Sequence, residues 1–261
     1  MLELWKQLIK MNVKRWMEYR VDFFVGIIAM FLTNVISIVF FWVIFSYIPA
    51  LNGWSFNQLL FLLGLSYFSF GIWHAFLSGS SPHRIERFIA NGEFDSILLR
   101  PLNPMLNLTL SNIDDDGFGD LIAGILVLIY SSSALSIVWS LINVIFLTLS
   151  VFGAVLTILS INILFSTATF WVVRSRMLSE ILWPLMKFID YPLDIYNPII
   201  VFILTFIIPL GFINYYPAQI FLGKGVWMLA AYLTPLVGVT MFIISYSLWK
   251  YGIKNYTSTG S

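Results

Sequence analysis

The densest group of side chains in this chain that could do chemistry is acidic. The segment NIDDDGFGD brings Asp114, Asp115, Asp116 and Asp120 close together in the sequence, and hard divalent cations bind clustered carboxylates. The run lacks the alternating D-x-D-x-D-G spacing of a calcium loop, and adjacent side chains of a helix or strand point apart. A solvated cap at the start of a helix, where the helix dipole favours aspartate, is therefore preferred over a metal site.

Motifs for catalysis are absent from the sequence. The Gly-Lys-Gly run at 223–225 lacks the upstream glycine and the hydroxyl of a phosphate-binding loop. The H-E-x-x-H and G-x-S-x-G patterns do not occur, and only two histidines, His74 and His83, are present. For His74 a hydrogen-bonded packing role is favoured over metal binding or proton relay. We predict that the chain is not an enzyme by itself and binds no metal or cofactor.

The composition predicts a membrane protein. Hydrophobic residues make up 59% and charged residues 10% of the 261 residues, whereas a soluble domain is about 45–50% apolar and about 25% charged. A net charge of +1 gives no clustered basic excess for a nucleic-acid partner. Since the chain has no cysteine, it can form no disulfide and no thiolate metal site.

Uncharged stretches mark the parts of the chain that membrane lipid can surround. A spanning helix needs about 20 mainly apolar residues, and charge near the bilayer centre is costly. The stretch Phe23–His83, for example, contains no Lys, Arg, Asp or Glu and is broken by a turn-rich segment around Pro49 and Gly53. We predict an all-α membrane protein, a single domain over 1–261, with six spans at 23–47, 57–80, 118–134, 138–172, 198–216 and 227–249.

The distribution of basic residues predicts the orientation. If the N-terminus is cytosolic, every Lys and Arg except Lys224 falls on the inner side, as the positive-inside rule requires. Both termini are then cytosolic and the outer loops are short. On this reading Asp190 and Asp194 belong to a cytosolic interfacial segment that leads into the fifth span.

Residues 1–20 have the pattern of an amphipathic interfacial helix. Lys6, Lys10 and Lys14 lie four apart on one face, which would reach lipid phosphates while tryptophan lies at headgroup depth. The pattern fits a plain membrane anchor and a specific mechanical role equally well. The apolar residues at helical spacing are Leu2, Trp5, Ile9, Val13 and Trp16.

The longest predicted soluble segment is the cytosolic loop 82–116. Within it, RIERFIA and EFDSILL each have the pattern of a short amphipathic helix, Gly92 suits the end of the first, and Pro101 and Pro104 end the second. The apolar faces would contact either lipid or a cytosolic partner, and the pattern leaves both open. Those faces carry Ile85, Phe88, Ile89, Phe94, Ile97 and Leu98.

Two groups of residues within the predicted spans stand out. Polar side chains there favour hydrogen bonds between helices, with the lining of a substrate path as the alternative. Paired prolines and glycines before the last span predict a re-entrant element near the outer face, because broken backbone at membrane depth must be covered by protein or water; a kinked span with a tight turn is the alternative. The polar group is Asn34, Asn143, Asn162, Thr167 and Thr169, and the helix-breaking group is Pro209, Gly211, Pro217 and Gly223.

Four stretches carry a resemblance to a known family. NGEFDSILLRPLNP at 91–104 closely resembles the cytosolic loop of the type-2, exporter-like class of ABC transporter permeases. DYPLDIY, IIPLGFINYYPAQIFLG and the closing YTSTGS resemble the same family in the same order. The likeness covers most of the chain, and its specific motifs lie mainly in the second half.

The resemblance implies a six-span permease subunit with an N-terminal interfacial helix, a coupling helix between spans two and three and a re-entrant region before span six. It implies as partners a cytosolic ABC ATPase dimer that holds ATP and magnesium, a second permease chain, identical or related, and membrane lipid. It also implies export across the plasma (inner) membrane of a prokaryote. A passive channel or a structural membrane subunit without an ATPase is the alternative, and the substrate stays open.

The same resemblance suggests which residues couple to the ATPase. Apolar side chains would enter a groove of the ATPase, and charged ones would orient the segment. Replacing Phe88 and Phe94 with alanine is then expected to uncouple transport and leave the protein folded. The predicted coupling residues are Ile85, Phe88, Glu93, Phe94, Asp95 and Arg100.

Overall fold

The computed structural model describes residues 10–12, 14–110, 113–171, 176–224 and 228–257, and these are mostly helical. No strand occurs among them, and one isolated bridge joins Leu51 to Trp54 in the loop after the first long helix. The α-helices are α1 Arg20–Tyr47, α2 Phe56–Leu77, α3 Pro82–Ala90, α4 Glu93–Leu98, α5 Pro104–Leu110, α6 Asp116–Ala134, α7 Leu141–Ala168, α8 Arg176–Met186, α9 Pro198–Phe202, α10 Tyr215–Leu222, α11 Met228–Tyr232 and α12 Thr234–Lys254.

Five helices in the described ranges are long and apolar enough to cross a membrane: α1, the stretch Phe56–Ala90 that includes α2, α6, α7 and α12. Their positions overlap five of the six predicted spans. The outer surface of α1 is almost entirely apolar and exposed, with only Asn34 and Phe41 buried. Such a surface suits contact with lipid tails.

Glycines allow α2 and α6 to pack closely as an antiparallel pair. Gly64 and Gly71 on α2 face Leu128 and Leu121 of α6, while Gly117 of α6 faces the backbone of Ala75. A side chain at Gly117 would collide with that backbone. Small residues at such interfaces let helix backbones approach, which is a main source of attraction between helices in lipid.

Helices α7 and α12 pack side by side and run in the same direction. Gly153, in the first half of α7, touches Thr234 at the start of α12, whereas Phe170, just past α7, touches Gly252 near the end of α12. Because both helices run the same way, the chain must travel back along the bundle between them.

The segment 176–196 runs back along the bundle beside α2. Near its start, Trp183 packs against Trp73 at the C-terminal end of α2, with ring centroids 6.4 Å apart. Near its end, the Asp194 carboxylate accepts a hydrogen bond of 2.9 Å from Nε1 of Trp54, just before α2 begins. The segment therefore extends antiparallel to α2 over the length of that helix.

Residues 198–216, predicted as the fifth span, do not form one straight helix. Helix α9 continues as a π-helical turn over Ile203–Ile207, the chain reverses around Leu210–Phe212, and α10 runs back. The two arms touch where the hydroxyl groups of Thr205 and Tyr216 lie 2.7 Å apart. We call residues 198–222 the hairpin.

The predicted sides of two loops need correction. The sequence places Asp194 in the cytosol and the α1–α2 loop outside, yet Asp194 is hydrogen bonded to Trp54 of that loop. Placing them on opposite sides is therefore wrong. The charges of Lys187 and Asp190 made segment 176–196 resemble a soluble loop in the sequence. In the structure these two side chains form an ion pair with each other at 3.4 Å.

Residues 1–9 and 13, half of the predicted interfacial helix at 1–20, lie outside the described residues. Within the described part, residues 14–18 are helical, and the Trp16 ring packs against Phe23 and Phe118, with centroids 5.3 and 5.6 Å away. Arg15 donates a hydrogen bond of 2.6 Å to the Ile113 carbonyl. These contacts join residues 14–18 to the start of α6.

Candidate functional site

Helices α3 and α4 form a compact unit between α2 and α6. Pro82 occupies the first turn of α3, where its missing N–H costs nothing. Gly92 separates the two helices with φ 70°, a left-handed conformation that glycine adopts at no steric cost. Glu93 and Asp95 lie in the first turn of α4, as the helix dipole favours. We call residues 82–100 the loop unit.

An aromatic cluster anchors the loop unit to the helix bundle. The Phe94 side chain is fully buried, and its ring lies 5.4 Å from Phe170 and 6.2 Å from Trp249 (centroid distances). Tyr256 closes the cluster, with its ring 5.1 Å from Phe94. Phe94 therefore ties α4 to the ends of α7 and α12.

The six predicted coupling residues fall into three sets by exposure. Ile85 and Phe94 are fully buried within this chain, so the expectation that their side chains enter the groove of another protein is not met in this conformation. Glu93 and Arg100 are exposed, and Phe88 and Asp95 are half-buried. The apolar members thus position the loop unit, and charged members remain on its surface.

Leu99 is the surface residue that the sequence prediction missed. Its side chain is 86% exposed, next to the exposed Arg100. The signal was present in the helical pattern: at about 100° per residue, Leu99 lies about 140° around the helix from Phe94. Arginine is enriched at protein interfaces, so this exposed pair is a candidate contact with another protein.

The acidic run at the start of α6 pairs with arginines. Asp114 forms an ion pair with Arg84 of the loop unit, and Asp115 lies 3.9 Å from Arg15. Asp115 precedes the first residue of α6, but its side chain makes no capping hydrogen bond, so the predicted cap is not formed by that residue. The run instead joins the loop unit and residues 14–18 to α6.

Four of the five polar residues predicted within spans bond to nearby backbone. Asn162 donates to Ile158 O at 2.9 Å, and Thr167 donates to Ile163 O at 2.7 Å, each one turn back in its own helix. The predicted bonding between helices is therefore not made by these side chains in the described structure. Thr169 and Asn143 similarly donate to Ser166 O and Val138 O.

Asn34 is the exception, because it joins a buried polar cluster that links three helices. Its Nδ2 donates to Oδ1 of Asp120 at 2.7 Å, while Nδ1 of His74 lies 2.9 Å from the other carboxylate oxygen. Asp120 is 3% exposed. The hydrogen-bonded packing role predicted for His74 agrees with this contact. The cluster connects α1, α2 and α6 through one carboxylate.

The four helix-breaking residues shape the hairpin. Pro209 and Gly211 lie at its reversal, where a side chain on Gly211 would collide with Leu193. Pro217 lies in the first turn of α10, and Gly223 ends that helix in a left-handed conformation with φ 58°. The sequence signal for a break was therefore correctly located.

A cavity of about 800 Å³ lies between the hairpin and the α1–α2 loop. Trp54 and Asp194 form one wall, and Asn52 donates 2.6 Å to the Asp194 carbonyl. Nζ of Lys224 lies 4.9 Å from the Trp54 ring centroid and donates to the Gly53 carbonyl. Burial lowers the pKa of Lys224, an effect that the charge of Asp194 opposes.

Comparison with known families adds an independent finding. The profile of the family described as ABC-2 family transporter protein matches residues 31–260. None of the curated proteins matches the chain significantly. The profile begins within α1 and extends through the loop unit, the hairpin and α12. Because the match covers most of an all-helical chain with several apolar helices, the chain belongs to the ABC-2 family of transporter membrane proteins and is a permease of that type.

Proposed function

We propose that this chain is the permease subunit of an ATP-driven exporter, works as a dimer of permease chains and is driven by a separate cytosolic ABC ATPase. The observation that carries the proposal is membership of the ABC-2 family over 31–260. No phosphate-binding loop occurs in the sequence. ATP and magnesium therefore belong to the partner ATPase.

The loop unit supports the proposed coupling to the ATPase. It is anchored by Phe94 in the aromatic cluster and by Arg84 to Asp114, so a force on it would reach α6, α7 and α12. Leu99 and Arg100 are exposed on it. We assign these two residues to the ATPase contact and the buried ones to transmission.

The path of the chain supports six crossings, which would place both termini on the same side of the membrane. The basic residues favour the cytosol for that side, and the resemblance to exporter-like permeases favours the plasma membrane of a prokaryote. In this arrangement the fifth crossing is segment 176–196, because it runs antiparallel to α2 between two parallel helices. The hairpin is then a re-entrant element on the outer side, next to the α1–α2 loop. A sixth crossing by α11 and α12 returns the C-terminus to the cytosol.

Purification of the native complex tests the proposed function. The tagged chain is extracted in mild detergent, its partners are identified by mass spectrometry, and vanadate-sensitive ATP hydrolysis is assayed. We expect an ABC ATPase to co-purify at a fixed ratio to this chain. The same preparation shows whether the second permease chain is identical or a related protein. Repeated isolation of the chain without any nucleotide-binding partner would favour a passive channel or structural subunit.

A further inference from the structure

The cavity beside the hairpin has an acceptor group held ready at its wall. Asp194 lines it, and its carboxylate is oriented by the 2.9 Å hydrogen bond from Nε1 of Trp54. A carboxylate has about four acceptor positions, so one bond leaves capacity for a donor that enters the cavity. The main chain of Asp194 is held as well, since Asn52 donates to its carbonyl.

Gln219 supplies a second acceptor that the chain leaves unsatisfied. The residue lines the same cavity and is 4% exposed, and its Oε1 has no hydrogen-bond partner within the described part of the chain. A buried acceptor without a donor is unfavourable. A ligand that brings an N–H or O–H group into the cavity would remove that cost.

The remaining walls are aromatic and apolar. Tyr215 lies 5.9 Å from Trp54 (ring centroids), and Phe202 and Phe206 of the other hairpin arm also line the cavity. Aromatic faces attract organic cations. The chain already uses this chemistry at the cavity wall, because the alkylammonium group of Lys224 lies over Trp54.

We propose that this cavity binds an amphiphilic primary amine, with its ammonium group donating to Asp194 and Gln219 and its apolar body between the hairpin arms and Trp54. Lys224 also lines the cavity, but its ammonium already contacts the Gly53 carbonyl and the Trp54 ring. The remaining acceptor positions of the Asp194 carboxylate therefore favour an ammonium over a carboxylate. The volume of about 800 Å³ suits a drug-sized molecule. That the bound molecule is also exported rests on the proposed function, whereas its binding does not.

Calorimetric titration of the full-length chain in lipid nanodiscs tests the site. The probe is monodansylcadaverine, which joins an aromatic body to a primary amine, and a dansylated aminohexanoic acid of similar length is the carboxylate control. Heats from empty nanodiscs are subtracted. We expect the amine to bind at least about 10-fold more tightly than the acid, as expected for a hydrogen bond to a charged group.

Two variants and one control make the test specific to the cavity. Asp194→Asn keeps an oxygen for Trp54 but removes the charge, and Gln219→Leu removes the second acceptor at similar volume. Each should weaken amine binding roughly 10-fold. Asp22→Asn changes an exposed carboxylate at the far end of α1 and should bind as the unchanged protein does.

Three results would overturn the proposal: equal or tighter binding of the acid, unchanged amine affinity in Asp194→Asn, or equal weakening in Asp22→Asn. Because Gln219 is buried, a thermal unfolding curve must first show that Gln219→Leu is folded. Asp194 is exposed, so the affinity of Asp194→Asn tests the proposal without that condition. Binding is measured without ATP or a partner. A failure of the proposed transport function would therefore leave these affinities unchanged.

Discussion

Asp120 is the single side chain on which the polar cluster in the bundle depends. Its carboxylate accepts from Asn34 and contacts His74, and these residues belong to three different helices. In lipid the alternative partners for such groups are few, so ionisable residues there are paired. The cluster thus fixes the positions of α1 and α6 relative to α2.

We expect Asp120→Leu to destabilise the protein by about 2–5 kcal/mol, because it leaves two buried partners of Asp120 unsatisfied. Asp120→Asn keeps one oxygen for Asn34 and should cost less. Thermal unfolding in detergent, followed by size-exclusion chromatography, measures the difference. The matched control is Asp22→Leu at an exposed carboxylate; equal losses in the two leucine variants would contradict the role of the cluster.

Phe94 behaves differently from Phe88 in the structure, and their alanine variants should differ too. Phe94 is fully buried among aromatic rings, whereas Phe88 is half-buried. Removing a buried phenylalanine costs about 3–5 kcal/mol. Phe94→Ala should therefore lower the unfolding temperature clearly, and Phe88→Ala should lower it less. The sequence alone predicted that both variants stay folded and only uncouple transport; we now expect this for Phe88→Ala alone. An unchanged melting curve for Phe94→Ala would contradict its role in stability.

At the scale of elements, the loop unit presents an exposed surface built on a buried base. Leu99 and Arg100 project from the end of α4, while Ile85 and Phe94 hold the unit against the bundle. A contact with the ATPase would therefore be lost by changing the surface, without loss of stability. Substitutions at these exposed residues therefore test ATPase binding without the loss of stability that replacing the buried aromatic residues would cause.

Reversal of the charge at Arg100 should weaken the association with the ATPase. Truncating or reversing an arginine at an interface costs about 2 kcal/mol or more when it is a hot spot, so Arg100→Glu should reduce co-purified ATPase by roughly 10-fold or more. Lys254→Glu, an exposed charge reversal at the end of α12, is the matched control. Equal ATPase recovery in both variants, with both proteins folded, would remove Arg100 from the contact.

The sequence predicts most elements of this fold because lipid imposes a simple rule on composition. Uncharged runs coincide with α1, α2, α6, α7 and α12. The hairpin was located by its prolines and glycines. Composition cannot reveal a segment such as 176–196, because its charged residues Lys187 and Asp190 form an ion pair with each other. Pairing lowers the cost of such charges within a bundle, and only contacts with α2 identify the path.

The candidate site was less predictable than the elements, for a related reason. An amphipathic pattern shows which face of a short helix is apolar, but not whether this chain or a partner covers it. In α4 the apolar face is covered by Phe170 and Trp249 from distant parts of the sequence. Likewise, Gln219 and Asp194 meet Trp54 only after folding.

At the scale of the whole molecule, the path of the chain determines which surfaces face the outside. Helices α7 and α12 are parallel, so one crossing must lie between them. If segment 176–196 is that crossing, its end and the α1–α2 loop share one side with the hairpin. The cavity would then open to the outer face, where an exporter releases its substrate.

Single-cysteine labelling tests this path, since the chain contains no cysteine. Asn197 precedes α9 and is exposed, as are Asn52 in the α1–α2 loop and Arg100 in the loop unit. We expect a membrane-impermeant maleimide to label Asn197→Cys and Asn52→Cys on intact cells, and Arg100→Cys only after permeabilisation. The loss of the Asn197 cap on α9 costs about 1 kcal/mol, which the fold should tolerate. If Asn197→Cys were labelled only together with Arg100→Cys, the fifth crossing would lie at 198–216 and the cavity could not open as proposed.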